Sequence, residues 1–329
     1  MKKIINNPTD VVSEALMGMQ AAYPDKLVYT PKMEVISRKE KKTDKVAVIS
    51  GGGAGHEPLH AGFVGKGMLD AAISGNVFSS PSPDRIGSAI EQVSCGKGVL
   101  MVIKNYSGDI MNFGLSADLA EMDDIEVAQV IVKDDVAVPD REEGTGRRGI
   151  AGTVFVHKIA GAKAEQGAEL EEVQRVAQKV VDNVRTMGVA IRPCTVPAAG
   201  KPGFELGEDE MEVGIGIHGE PGTHKEKLRP ADEIVDHILD KILADIDYTG
   251  REVAVMVNSS GATPLMELFI INNHVADVLA EKGIKVYKTF VGEYMTSLEM
   301  EGFSVSLLRL DDELKALLDA HADTIAFKA

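Results

Sequence analysis

Three stretches of the sequence place side chains that can do chemistry beside glycines. In VISGGGAGHEPLH, His56 follows a run of glycines around Gly53. In KNYSGDIMNF, Lys104 and Asp109 bracket a Ser-Gly pair, and in GIGIHGEPGTH, His218 stands among glycines before a Glu-Pro-Gly turn. Proteins use imidazole, ammonium and carboxylate groups to move protons and to attack carbonyl carbons. These five residues are therefore the candidates for a functional site.

The glycines of the first stretch predict a cradle for a small molecule. Glycines let backbone N–H groups approach a ligand without interference from side chains. A dinucleotide fingerprint that starts at Gly51 needs a glycine where His56 stands. A P-loop needs Gly-Lys-Ser/Thr, whereas Gly65 and Lys66 are followed by Gly67. The spacing argues against a nucleotide-dependent oxidoreductase, and a tight strand-to-helix turn without a ligand is the alternative.

Lys104 and Asp109 supply a cationic donor and a carboxylate base directly after a predicted strand. Taken alone, the two residues are equally well explained by a structural ion pair or by solvated loop charges. Their position parallels that of the glycine stretch, at the end of a strand, where open α/β sheets bind ligands. This position favours one cleft that is shared by both stretches.

The third stretch raises the question of what His218 does. A neutral imidazole can attack a small ketone or aldehyde to give a hemiaminal, and it can also act as an acid, a base or a metal ligand. A structural histidine with satisfied hydrogen bonds is the alternative. No metal is expected, because Pro58 between His56 and His60 argues against one helical face and no acidic triad lies near in sequence.

The hydrophobic pattern predicts the elements that position these stretches. Short β-branched runs alternate with helical stretches, which is typical of α/β proteins. We expect two α/β domains, each built on a parallel or mixed sheet flanked by helices. The first domain, 1–187, would carry the glycine-rich and Lys104/Asp109 loops, and the second, 188–329, would carry His218. Strands are predicted over 46–49, 99–103, 125–132, 213–217, 252–257, 284–291 and 304–308, helices over 83–93, 170–185, 231–246, 264–282 and 311–320, and an irregular connection over 191–212.

Composition and charge exclude several classes of function. The chain has 329 residues, of which 44% are hydrophobic and 26% charged, and a formal net charge of -16. This charge repels phosphate backbones and anionic lipids, so nucleic-acid and membrane roles are not expected. The amino terminus lacks the pattern of a signal peptide. With only Cys95 and Cys194, no disulfide framework is predicted and a reducing cytoplasm is the expected compartment.

Several segments, taken together, resemble the dihydroxyacetone kinase family, specifically the substrate-binding K subunit of the bacterial, phosphotransferase-system-dependent type. The resemblance spreads over nearly the whole chain, with its segments in the family's order. These segments are GGGAGHEP, KNYSGD with MNF, GRRGIAGTV, CTVPAAGKP, FELGEDEMEVGIGIHGEPG, GATPLMEL and YMTSLEMEGFS.

The resemblance implies a role for each candidate residue. The histidine of the IHGEPG motif, His218, would bond through a ring nitrogen to the carbonyl carbon of dihydroxyacetone as a hemiaminal. The backbone around Gly53 and the side chains of His56, Lys104 and Asp109 would hold the substrate hydroxyls. Asp109 would be the base for the hydroxyl that attacks the phosphoryl group, with His56 assisting.

The resemblance also implies partners. No cofactor would bind this chain directly, and ADP with magnesium would sit on a partner L subunit. A phosphotransferase-system protein fed from phosphoenolpyruvate would rephosphorylate that nucleotide, and the chain itself would be a homodimer. The alternative is a dihydroxyacetone-sensing co-activator without kinase activity. Departures from the family pattern at Ser259, Ser260, Glu293 and Glu299 leave the partner and the subfamily open.

Overall fold

Two six-stranded sheets and eight helices account for most of the computed structural model, which describes residues 2–140 and 146–329. The helices are α1 (Val11–Ala22), α2 (Pro83–Val93), α3 (Ser107–Met122), α4 (Thr153–Glu165), α5 (Leu170–Asn183), α6 (Ala231–Asp245), α7 (Leu265–Glu281) and α8 (Asp312–Asp319). The strands are β1 (Leu27–Thr30), β2 (Val35–Arg38), β3 (Ala47–Ala54), β4 (Ala71–Val77), β5 (Val99–Lys104), β6 (Val127–Val132), β7 (Val184–Arg192), β8 (Glu210–Val213), β9 (His224–Lys227), β10 (Glu252–Ser259), β11 (Lys285–Gly292) and β12 (Glu301–Leu310).

The first sheet has the strand order β1-β2-β4-β3-β5-β6. Strands β4, β3, β5 and β6 are parallel neighbours, whereas β1 and β2 pair antiparallel. Every residue of β3 and β5 is buried. Helices cover both faces of these strands, and continuous apolar runs such as VLMVI are typical of strands in that position.

The second sheet has the order β11-β10-β12-β7-β8-β9. Only the β10–β11 pair is parallel among its neighbours in the described residues. Both sheets are therefore mixed and flanked by helices, and the predicted fold class is confirmed. The loop 214–223, which joins β8 to β9, carries His218.

One apolar cluster joins the two sheets. It contains residues of β3, β5 and β6 from the first sheet and of β10 and β12 from the second, with α4, α5 and α8 between them. Helix α4 is buried on all sides, as eleven of its 13 residues are inaccessible. The division at 187/188 stays a prediction, but that boundary would cut β7, which begins at Val184.

Some predicted elements were wrong or incomplete. The strand expected over 213–217 is absent, because Gly214 has a φ of 73° and ends the pairing at Val213. The helix expected to reach Arg185 ends at Asn183, where β7 follows at once. Because β7 extends to Arg192, only 193–209 of the expected connection lies between strands. Elements without a prediction were α1, α3, α4, β1, β2, β4, β7 and β9.

Gly161 lets α4 lie against the segment that follows His60. A Cβ at Gly161 would lie 2.4 Å from the Cα and carbonyl oxygen of Met68. Because backbone atoms must move to make room, we expect Gly161→Ala to lower the free energy of unfolding by about 1–3 kcal/mol in urea titrations.

The matched control is Gly87→Ala in α2, where nothing lies within 4 Å of the added Cβ. There alanine should raise the free energy of unfolding by about 0.5–1 kcal/mol, because glycine is the poorer helix former. Equal responses of the two variants would contradict the close packing at Gly161.

Candidate active site

The glycines near the end of β3 are required by close contacts with neighbouring segments. A Cβ at Gly52 would lie 2.3 Å from Nζ of Lys104, and one at Gly53 would lie 2.5 Å from the backbone nitrogen of Ser79. No larger residue fits without displacing these groups. The glycine stretch is thus the last part of a buried strand, and its lack of side chains makes room for Lys104 and for the segment that follows β4.

Lys104 and Asp109 form a buried pair. Lys104 is the last residue of β5, and Asp109 lies in the first turn of α3, where sequence reasoning predicted only a Ser-Gly turn. Nζ of Lys104 lies 3.5 Å from Oδ2 of Asp109 and donates to the carbonyl of Gly51 at 3.2 Å. The Ser80 hydroxyl donates to Oδ1 of Asp109. Burial lowers the pKa of Lys104, and the Asp109 carboxylate opposes that shift.

His56 is held as a neutral acceptor. Its Nδ1 donates to the carbonyl of Thr296 at 2.8 Å, which leaves Nε2 without a hydrogen. Burial lowers the pKa of His56 well below its ordinary value, and His218 and Lys104 act in the same direction. Nε2 is buried and has no partner among the described residues. Thr296 lies between β11 and β12, so the second half of the chain fixes a residue of the first.

His218 lies among three rings and is oriented by a carboxylate. Its ring centroid is 4.9 Å from that of His56, 5.3 Å from Phe78 and 4.6 Å from Tyr106. Nδ1 donates to Oε1 of Glu220 at 2.7 Å, and the backbone N–H of His218 donates to Oε2 at 3.0 Å. Nε2 therefore keeps its lone pair, which is the electronic state that a nucleophilic imidazole requires.

Glu220 was missed by sequence reasoning, although it stands two residues after His218 in the quoted motif. Burial would raise the pKa of Glu220, but the hydrogen bond and charge interaction with His218 hold it at about 2. Glu220 reaches back over Gly216, where a Cβ would lie 1.9 Å from Oε2. The sequence signal that could have identified Glu220 is a carboxylate two residues after a histidine, with one glycine between them.

Arg148 anchors the loop that carries His218. Its Nε donates to Oδ2 of Asp135 at 2.8 Å, and Nη2 donates to the carbonyl of Gly214 at 2.6 Å. Burial raises the pKa of Asp135 to about 6, against the opposing charge of Arg148. Through these hydrogen bonds, Arg148 of the GRRGI segment holds the start of the His218 loop against Asp135, which follows β6.

The structure brings the five predicted residues together. Lys104 and Asp109 contact the β3 glycines, and the Phe78 ring stacks on His56 at 5.1 Å and meets His218 edge-on. A further group was not predicted: the Tyr106 hydroxyl is buried and, like Nε2 of His56, has no partner in the part of the chain that the structure describes. The site thus combines an imidazole oriented by a carboxylate, a second carboxylate, an ammonium group and two polar atoms free to bind a ligand.

The departures from the family pattern make contacts outside this site. The Ser259 hydroxyl donates to the carbonyl of Thr263 at 3.1 Å. Glu299 accepts from the backbone N–H of Thr195 at 3.0 Å and pairs with Lys3 at 2.5 Å. These contacts leave the question of partner choice open.

No group of three or more His, Cys, Asp or Glu side chains within 2–140 and 146–329 could hold a metal ion. Over the same ranges, no helix is both long and apolar enough to cross a bilayer.

Two mixed, helix-flanked sheets that bring an oriented imidazole close to a buried lysine–carboxylate pair define an α/β protein with a candidate active site. Comparison with known proteins makes this specific: residues 17–326 match the Dak1 domain, and the chain belongs to that family. The resemblance found in the sequence is therefore confirmed.

Two curated relatives are similar over nearly their full length. The chain is 50% identical over 329 residues to the PTS-dependent dihydroxyacetone kinase 1, dihydroxyacetone-binding subunit DhaK, of Listeria innocua, with 99% of this chain and 100% of the relative covered. It is 40% identical over 351 residues to the PEP-dependent dihydroxyacetone kinase, dihydroxyacetone-binding subunit DhaK, of Escherichia coli, with 99% of each covered.

Two solved structures have the same fold. The dihydroxyacetone kinase operon co-activator Dha-DhaQ superposes with a TM-score of 0.91 at 36% identity, over 95% of this chain and 97% of that one. The dihydroxyacetone kinase of C. freundii superposes with a TM-score of 0.93 at 37% identity, over 99% of this chain and 60% of that one.

The Glu220 carboxylate should determine which ring nitrogen of His218 carries the hydrogen. We expect the Nδ1–H tautomer in the unaltered protein and a mixture of tautomers in Glu220→Ala, because no acceptor then fixes the hydrogen on Nδ1. Nitrogen-15 NMR of labelled histidines measures this, with His218→Ala to assign the signal and the exposed His321 as internal reference. A predominant Nε2–H tautomer in the unaltered protein would contradict the assignment.

Proposed function

We propose that this chain is the dihydroxyacetone-binding subunit of a phosphoenolpyruvate-dependent dihydroxyacetone kinase. The observation that carries the proposal is the Glu220–His218 hydrogen bond, which frees Nε2 of His218, whose ring lies 4.9 Å from that of His56. The subunit captures dihydroxyacetone on His218 and presents a hydroxyl for phosphoryl transfer, giving dihydroxyacetone phosphate. The names of the full-length relatives support this substrate.

Capture begins with attack of Nε2 of His218 on the carbonyl carbon. The new N–C bond makes the ring positive, and the electron pair of the C=O bond moves to oxygen. Glu220 stabilises the positive ring and accepts the Nδ1 hydrogen, the oxygen takes a proton from solvent, and Glu220 releases its proton to solvent in turn, so the hemiaminal is neutral overall and no net proton is gained. A triose offers few contacts, and a reversible covalent bond supplies affinity and excludes glycerol, which has no carbonyl group.

Phosphoryl transfer then depends on Asp109 and on the groups that hold the substrate hydroxyls. Asp109 accepts the proton of the substrate hydroxyl as its oxygen attacks the phosphorus atom. Nε2 of His56 accepts a hydrogen bond from a substrate hydroxyl, the backbone near Gly53 completes the binding site, and the Lys104 ammonium beside Asp109 supplies its positive charge. Such transfers require mainly positioning and charge stabilisation.

The phosphoryl donor is expected on a partner. We propose an L subunit that holds ADP and magnesium and is rephosphorylated by a phosphotransferase-system protein. Met111 and Leu115 of α3 are exposed one turn or more beyond Asp109, so a partner that reaches Asp109 would cover them. We also propose a cytoplasmic homodimer, which fits two free cysteines and the exposed apolar residues of α7, namely Leu265, Met266, Phe269 and Ile270.

A co-activator that senses dihydroxyacetone without kinase activity is the second candidate. The similarity to the Dha-DhaQ co-activator structure is the observation in its favour. A sensor needs the nucleophile His218 but no base, so the buried Lys104–Asp109 pair favours the kinase.

A coupled assay distinguishes the two candidates. We expect the protein, dihydroxyacetone and a phosphorylated L subunit to yield dihydroxyacetone phosphate. The measurement is product formation, alongside mass spectrometry of the intact protein for the substrate adduct. An adduct without product would exclude the kinase and leave the sensor.

Two substitutions should separate capture from transfer. His218→Ala should abolish the adduct, whereas Asp109→Asn should keep the adduct and lower turnover by about 10²–10⁴-fold, because general-base catalysis is lost. Asp118→Asn, an exposed position on the same helix, is the matched control and should behave like the unaltered protein. An adduct that survives His218→Ala would show that the nucleophile is another residue.

A further inference from the structure

Behind Lys104 lies a chain of buried polar side chains that the proposed mechanism does not use. Nζ of Lys104 lies 3.0 Å from Nε2 of His60. Nδ1 of His60 lies 3.1 Å from the Ser50 hydroxyl and 3.0 Å from Nε2 of His157. All four residues are buried, with exposures of 5% or less. The chain runs from the site, through the face of β3, to α4 in the shared apolar cluster.

The hydrogens along this chain can be assigned from the partners. An ammonium group only donates, so Nε2 of His60 must be the bare nitrogen and Nδ1 must carry the hydrogen. The Ser50 hydroxyl donates to the carbonyl of Val102 at 2.7 Å, which leaves its oxygen as an acceptor for His60. Burial lowers the pKa of His60 well below its ordinary value, and that of His157 to about 3, so both rings are neutral.

The Lys104 ammonium has one acceptor for each of its hydrogens. These acceptors are the carbonyl of Gly51 at 3.2 Å, Nε2 of His60 at 3.0 Å and Oδ2 of Asp109 at 3.5 Å. A buried charged donor that loses an acceptor is destabilised more than a neutral one. The acceptor at His60 is therefore needed to keep Lys104 charged and in place.

The acceptor at His60 matters most to the Lys104 ammonium during the proposed reaction. The titratable groups that face Lys104 are Asp109 from α3, His56 and His60 from the segment after β3, and His157 from α4. Asp109 is the anion among them. Once Asp109 has taken a proton from the substrate, its charge no longer balances the ammonium, and the neutral acceptors Gly51 and His60 remain.

We propose that His60, held in one tautomer by Ser50 and His157, is a positioning residue that keeps the Lys104 ammonium charged and directed at Asp109. The kinetic consequence rests on the proposed function, whereas the effect on Lys104 itself does not. A purely structural role for His60 would affect stability and leave the titration of Lys104 unchanged.

The direct test follows the Lys104 ammonium by nitrogen-15 NMR of labelled lysine, with Lys104→Met to assign the signal. His60→Leu removes the acceptor, and His60→Gln supplies an amide oxygen in its place. We expect the titration midpoint of Lys104 to fall by about one pH unit or more in His60→Leu and to return most of the way in His60→Gln. His321→Leu, at an exposed position, is the control and should leave the midpoint unchanged.

The kinetic test uses the coupled assay with the same variants. We expect His60→Leu to lower kcat about tenfold or more and to move the alkaline limb of its pH profile to lower pH, with recovery in His60→Gln. The His218 adduct should persist in both. If His60→Leu does not fold, His157→Phe and Ser50→Ala, which remove the two acceptors of Nδ1, should together produce the same shift.

The outcomes separate this proposal from the proposed function. An unchanged Lys104 midpoint in His60→Leu, or equal effects of the leucine and glutamine variants, would overturn the positioning role. A protein that forms no dihydroxyacetone phosphate, but whose Lys104 midpoint responds as expected, would lack the kinase activity and still retain the positioning role of His60.

Discussion

The edge of the first sheet that forms the site is organised around the positive charge of Lys104, which has no access to water. The Lys104 ammonium is fully buried, and burial of an unpaired ion is strongly unfavourable. Three features of the chain accommodate the buried ammonium group. The glycines of β3 leave room for it, α3 places Asp109 beside it in its first turn, and the neutral His60 accepts one of its hydrogens. A negative charge is also favoured at the amino end of α3 by the helix dipole.

The proposed nucleophile, His218, comes from the other sheet, and its position depends on contacts between the two halves of the chain. The His218 loop is held by Arg148, which follows β6, and His56 is held by Thr296, which follows β11. The cluster around α4 and α5 fixes the two sheets against each other. The relative position of His218 and Asp109 is thus a property of the whole fold, and no single loop sets it.

Sequence reasoning predicted the fold class and the residues that meet at the site, because glycine-rich and charged segments at strand ends are local signals. Non-local packing explains most of what it missed. Helix α4 is buried on all sides and shows no amphipathic period, so its pattern resembles that of a buried strand. The strand predicted over 213–217 failed at Gly214, whose conformation depends on a hydrogen bond to Gly188. Glu220 stands in the same sequence motif as His218, but only the fold shows that its side chain turns back onto His218.

The apolar cluster shared by both sheets has a consequence for how water is kept from the reaction. Many enzymes of two lobes close over their substrate by a hinge, and the closing lobe displaces solvent. Here α4 and α5 lie within one continuous core that joins the two sheets, while His218 keeps 18% of its side chain exposed. A core shared in this way opposes hinge closure, so under the proposed function the docking protein that brings the phosphoryl group would also shield the site from water.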